Sequence, residues 1–126
     1  MIDHVSIGVR DLARATAFYE AVLGTIGLEK LVTRADTVGF GKRYPEFWLN
    51  RRGALAPRPD DGTHVCLRAP DEKAVQAFHA AALAGGAVSD GAPGLRPDYS
   101  PTYYAAFVRD ADGNRIEAVT FLTSSR

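Results

Sequence analysis

Laid on itself with a shift of 60 residues and no gap, the chain pairs His4 with His64, Val5 with Val65, Asp11 with Asp71, Phe18 with Phe78 and Leu23 with Leu83. The conservative pairs Ser6/Cys66, Ile7/Leu67 and Leu28/Val88 fall in the same register. A strand, a capping Asp and a helix therefore recur in the same order, and the fold has to be two copies of one unit. At 126 residues the two copies share one domain-sized chain. Module 1 is placed at about 1–53, a linker rich in Pro and Asp at 54–62, and module 2 at about 63–123.

The periodicity inside each copy supplies the elements. Val5, Ile7 and Val9 alternate with His4, Ser6 and Gly8, a period of two that specifies a strand with one packed face. Asp11 caps a helix whose apolar positions Leu12, Ala15, Phe18, Tyr19, Val22 and Leu23 recur every three or four residues, and Gly24 and Gly27 end it. Glu29 to Arg34, Thr37 to Gly41 and Phe47 to Arg51 read as three short strands. In the second copy, Thr63 to Ala69 is the first strand and Asp71 caps a helix stopped by Gly85-Gly86. Ala87-Val88 is a short strand, and Gly91 to Pro101, with three prolines and two glycines, reads as a loop. Tyr103 to Arg109 and Arg115 to Phe121 are strands joined by the turn Asp110-Ala111-Asp112-Gly113-Asn114. Each half is β-α-β-β-β.

A sheet backed by a helix turns its apolar face to that helix. His4 and His64 then lie on the opposite, open side with Ser6, Cys66 and Arg68. In the last strand Ile116 and Ala118 alternate with Glu117, Val119 and Phe121, which puts Glu117 on the same open side. Two imidazoles and a carboxylate on strands are a set that can hold a divalent metal with positions left for water or substrate. The alternative reading of the same three residues is a polar sheet surface with no metal.

Fifteen Lys+Arg against fifteen Asp+Glu leave no net charge, which gives no footprint for nucleic acid or an anionic membrane. The one cysteine excludes an internal disulfide, and no apolar run reaches the roughly 18 residues that span a bilayer. With no signal-like segment at Met1 to His4, a cytoplasmic protein with a small-molecule partner is expected.

The openings "DHVSIGVRDLARATAFYEAVLG" and "GTHVCLRAP" and the ending "AAFVRDADGNRIEAV" resemble the vicinal oxygen chelate superfamily, which groups glyoxalases, bleomycin resistance proteins and extradiol dioxygenases. The resemblance runs from Ile2 to about Phe121. It implies an α+β fold of two tandem βαβββ modules forming a cup-shaped mixed sheet with helices on the outside. It also implies a divalent metal (Zn, Ni, Mn or Fe) held by His4, His64 and Glu117, and a homodimer, sometimes with one site built from two chains.

Two departures narrow the chemistry. Glyoxalase I carries a fourth ligand, a Glu, on the last strand of the first half, where "PEFWLN" places Trp48. Extradiol dioxygenases carry a catalytic Tyr ten residues before the Glu ligand, where this chain has Phe107, and no His follows His79. Catechol cleavage is disfavoured. Trp48, Tyr103 and Phe107 offer flat apolar walls for a substrate, and Arg68 a fork for a carboxylate or phosphate; Arg96, in the Gly/Pro loop, reads as a solvated charge. The resemblance thus implies a metal-dependent enzyme of glyoxalase-like type that chelates a pair of substrate oxygens. A non-catalytic binding or sequestering protein of the bleomycin-resistance type is the alternative, and no residue identifies the general base.

Overall fold

The computed structural model describes residues 1–123. Its elements are β1 (Val5–Val9), α1 (Leu12–Gly24), β2 (Glu29–Thr33), β3 (Thr37–Gly41), β4 (Phe47–Arg51), β5 (Val65–Arg68), α2 (Glu72–Ala84), β6 (Val88–Leu95), β7 (Tyr103–Arg109) and β8 (Arg115–Phe121). The two βαβββ units form two four-stranded mixed sheets, ordered β1-β4-β3-β2 and β5-β8-β7-β6. In each, the first strand runs parallel to the last and the other pairs are antiparallel. No ladder joins the two sheets among the described residues.

Both helices begin as the sequence predicts. Asp11 accepts from Arg14 N and Asp71 from Ala74 N, each in extended backbone, so each carboxylate satisfies one otherwise orphaned N–H of a first turn. The apolar strand positions face these helices. Val9, Phe47, Leu49, Val38 and Phe40 of the first sheet and Tyr104, Ala106, Val108, Ile116 and Ala118 of the second share one core with Tyr19, Val22, Leu23, Val75 and Phe78.

The modules meet on this side. α1 packs on α2, and the β7–β8 turn docks on the end of β1. Tyr19 Oη donates to Asp110, Asn114 Nδ2 donates to the carbonyl of Gly8, and Arg10 Nε donates to Asp112 at 2.7 Å. Asp110 also accepts the N–H groups of Asp112 and Asn114, so the turn is an internally bonded knob rather than a plain hairpin bend. Gly113 is required within it. Its φ is +84°, and a Cβ there would stand 2.8 Å from the backbone nitrogen of Arg58, which crosses over the turn.

One segment departs from the sequence reading. Gly91 to Leu95, expected to begin a loop, continues β6, pairing Gly91 with Phe107, Gly94 with Ala105 and Leu95 with Tyr104 through two register shifts. The shifts let an edge strand carry Pro93, which has no N–H to give a ladder. Arg96 fastens the bulged strand: its guanidinium donates to the carbonyls of Gly94 and Ala92 and lies 5.3 Å from the Phe107 ring centroid. Arg96 is therefore a structural clamp and not a solvated charge.

Candidate metal and substrate site

Strand pairing fixes which side chains share the open face of the second sheet. Cys66 stands opposite Glu117, Arg68 opposite Val119, Phe107 opposite Glu117 and Tyr103 opposite Phe121. Neighbours across a ladder point the same way, so Cys66, Arg68, Tyr103, Phe107, Glu117 and Phe121 lie on one side. Glu117 faces away from the helix, as its alternation with Ile116 and Ala118 predicts.

Glu117 is only 2% exposed, and both of its oxygens are engaged. Tyr103 Oη donates to Oε2 at 2.5 Å, and His64 Nε2 stands 3.1 Å from Oε1. Burial first, then hydrogen bonding to the carboxylate, pushes the Tyr103 phenol well above its ordinary range, so it remains a donor. Cys66 Sγ is 3.9 Å from the same phenol. Desolvation, followed by the charge of Glu117, pushes the thiol up to about 12, which leaves it protonated and a poor nucleophile at neutral pH.

The two histidines repeat one hydrogen-bond pattern. His64 Nδ1 lies 3.2 Å from the carbonyl of Gly62, which can only accept, and His4 Nδ1 lies 2.7 Å from Asp3 Oδ1. An acceptor beside Nδ1 favours the tautomer whose Nε2 lone pair points outward, the arrangement that orients a ligating imidazole. For His64 this has a consequence. His64 Nε2 and Glu117 Oε1 face one another at 3.1 Å. The contact is closed either by a proton on Nε2 or, with the proton on Nδ1, by a metal ion. Two ligands each about 2.1 Å from one ion stand roughly 3 Å apart when adjacent in its coordination shell, so the pair fits a shared divalent ion.

His4 is not with them. Among the described residues no group of three His, Cys, Asp or Glu side chains is placed to hold a metal. The modules touch at the far end of β1, at Gly8 and Arg10, while His4 stands exposed before its start beside Asp3. The three-ligand convergence read from the sequence is therefore incomplete within one chain.

Trp48 is also on the other sheet. Ser6 pairs with Trp48 as Cys66 pairs with Glu117, so Trp48 is the counterpart of Glu117 in the first module. Its ring lies over Gly39, where a Cβ would approach it to 2.9 Å, and under the Arg34 guanidinium. Phe107 faces the Glu117 side but is covered by Arg96. Arg68 lies 4.8 Å from the Phe121 ring centroid, and Tyr103 packs edge-on against Tyr99 and Phe121. Sequence reading gave Tyr103 an apolar role; its hydroxyl contact with Glu117 depends on the β7–β8 register, which two short strands do not reveal.

A family profile described as Glyoxalase/Bleomycin resistance protein/Dioxygenase superfamily matches residues 1–118. The chain belongs to this superfamily. A glyoxalase/bleomycin resistance protein from Albidiferax ferrireducens is 33% identical, with 93% of this chain and 96% of that one aligned at a TM-score of 0.82. The fosfomycin resistance protein FosX of Listeria monocytogenes is 17% identical, over 94% of this chain and 91% of that one, with a TM-score of 0.69. A lactoylglutathione lyase of Agrobacterium tumefaciens is 22% identical, over 94% and 92%, with a TM-score of 0.65. The last two similarities concern the fold alone. No curated protein matches the chain. No helix among the described residues is long and apolar enough to cross a membrane.

Proposed function

We propose that the protein is a metal-dependent, glyoxalase-like enzyme of the cytoplasm that acts on a small molecule through a pair of substrate oxygens. His64 and Glu117 of one chain and His4 of a second copy, in a homodimer, are the proposed ligands. The observation that carries this reading is the His64 Nε2–Glu117 Oε1 contact, an imidazole nitrogen 3.1 Å from the oxygen of a buried carboxylate. His4 shows the same Nδ1 contact on the other module, and among the described residues it joins no group of three metal-ligating side chains. His64, Glu117 and the second copy's His4 would hold a divalent ion there, which would supply Lewis acidity toward the substrate oxygens.

The chain's own residues set the rest. Tyr103 holds Glu117 Oε2, so that Oε1 alone is turned to the site. Cys66, the ladder partner of Glu117, lines the floor with its Sγ 3.9 Å from the Tyr103 hydroxyl. Tyr103, Phe107 and Arg68, together with Trp48 on the facing module, are the proposed substrate contacts.

A metal-free binding role, as in the bleomycin-resistance alternative, is favoured by one feature. The His64–Glu117–Tyr103 cluster also closes with a proton on His64 Nε2 and needs no metal. Titration calorimetry with manganese, nickel and zinc separates the two. The proposal expects binding by the wild type and loss of at least roughly tenfold in Glu117→Gln, His64→Ala and His4→Ala, because each removes a direct ligand. No binding by the wild type, or equal affinity in all four proteins, would overturn the metal site and leave the binding-protein reading ahead.

A further inference from the structure

At the start of the first module stands a second chain of Tyr, carboxylate and His, built differently from the one around Glu117. Asp3 Oδ1 lies 2.7 Å from His4 Nδ1, and the Tyr44 hydroxyl donates to the same carboxylate. The internal repeat does not account for this cluster. Asp3 and Tyr44 fall opposite Thr63 and Tyr104 in the 60-residue register, and the Tyr104 hydroxyl is engaged instead by Gln76 of α2. The backbone around Tyr44 is shaped to deliver it. The turn after β3 doubles back so tightly that a Cβ on Gly41 would collide with the Tyr44 carbonyl. Glu46 N donates to the Phe40 carbonyl at 2.8 Å and closes the turn, and Val5 N donates to the Glu46 carbonyl at 2.9 Å, which ties the start of β1 to it. Residues far apart in sequence are thereby held side by side.

The chemistry of the contact fixes where its proton lies. An exposed Asp is ionised at neutral pH and can only accept, so at 2.7 Å the shared proton belongs to His4 Nδ1. A neutral imidazole protonated there carries its lone pair on Nε2, the nitrogen turned away from Asp3. The anion behind the ring makes that nitrogen a stronger donor, as carboxylates behind ligating histidines do. His64 is arranged otherwise. Its Nδ1 faces a neutral carbonyl at 3.2 Å, and its carboxylate, Glu117, stands at Nε2.

We infer that Asp3, steadied by Tyr44, is a positioning residue that fixes His4 in the Nδ1–H tautomer and so prepares its Nε2 to ligate an ion. Tyr44 holds the carboxylate, the carboxylate holds the ring, and the ring presents its lone pair outward. The ligand role rests on the metal reading proposed above, but the tautomer does not depend on a metal.

Nitrogen NMR of the imidazole rings tests this in chelator-treated protein, at a pH above the ordinary histidine range. His4 signals are assigned by their loss in His4→Ala. The wild type is expected to show His4 as Nδ1–H, and Asp3→Ala to return it mainly to Nε2–H, the form that isolated histidine prefers. Asp3→Asn, which keeps an acceptor oxygen and loses the charge, falls between them, and Tyr44→Phe shifts part of the population. The His64 signals stay unchanged in all three, which a general loss of structure would not allow. Asp3 and Tyr44 are both exposed, so these variants retain the fold. In calorimetry with manganese, nickel and zinc, Asp3→Ala loses roughly tenfold in affinity, as removal of a group behind a ligating histidine does, and Tyr44→Phe loses less. His4 as Nε2–H in the wild type, or a tautomer or a metal affinity unchanged in Asp3→Ala, would overturn the proposal. A wild type that binds no metal while His4 keeps the Nδ1–H form would overturn the metal reading, and the ligand role with it, while the fixed tautomer stands.

Discussion

Tyr19→Phe tests the contact that fixes one module on the other. The Tyr19 ring packs against Phe18 and Phe47 at centroid distances of 4.9 and 5.4 Å, and Phe preserves both contacts and leaves almost no cavity. What is lost is one donor to the buried carboxylate of Asp110. Three others remain, from Asp112 N, Asn114 N and Asn114 Nδ2. A hydrogen bond to a charged group is worth about 1.5–3 kcal/mol; with three donors still in place, a loss of about 2 kcal/mol is expected at pH 7. For a domain of this size that lowers Tm by roughly 8 °C. The loss also has a sign in pH. Burial holds the Asp110 carboxyl above its ordinary value of 3.8, against the lowering effect of Tyr19 and Asn114. A carboxyl whose folded pKa is raised takes up its proton in the native state first, so its contribution to stability falls as pH rises through that window. Removing Tyr19's donor raises the folded pKa further. The difference between the two proteins is therefore full once Asp110 is ionised in both, and shrinks as pH falls and the carboxyl protonates. Urea unfolding at pH 7 and pH 4 measures it. A difference below 0.5 kcal/mol at pH 7, or a larger one at pH 4, would refute the reasoning.

Gly113→Ala places a Cβ at positive φ and against the Arg58 backbone; thermal unfolding should show a loss of about 2 kcal/mol or more. Tyr103→Phe removes a donor from a carboxylate that is almost wholly buried, and should cost about 1.5–3 kcal/mol in chelator-treated protein. It should also weaken metal binding in calorimetry less than Glu117→Gln does, since the ligand itself remains. Light scattering at micromolar concentration should report a dimer in the wild type, and a monomer mass there would remove the second copy that the proposed site requires.

Much of the fold was legible because its signals are local. The Asp11 and Asp71 caps, the three- and four-residue apolar steps and the alternation around Glu117 each depend on a few adjacent residues. The extension of β6 was hidden by Pro93 and the surrounding glycines, whose loop-like composition is tolerated in a bulged edge strand clamped by Arg96. The turn after β7 was recognised, but not its role. Its grip on Tyr19, Gly8 and Arg10 joins residues about 90–105 positions apart, a separation that no local pattern reports. The same limit applies at the site. Residue types placed Glu117 and His64 on one face, whereas the carbonyl beside His64 Nδ1 and the phenol on Glu117 Oε2 required coordinates. The separation of His4 from both follows from which ends of the modules touch.

The claim that one site is shared between two copies is tested most directly by mixing inactive halves. His4→Ala and Glu117→Gln are purified separately, unfolded, mixed and refolded together, and metal binding is measured on the mixture. If His4 of one copy completes the His64–Glu117 pair of the other, each mixed dimer regains one intact site. About half of the dimers in an equal mixture are mixed, by random pairing of equivalent subunits, so roughly a quarter of the wild-type sites should return with wild-type affinity. If His4 serves only its own chain, every chain in the mixture carries a damaged site, and the mixture should bind no better than either variant alone, which would contradict the account.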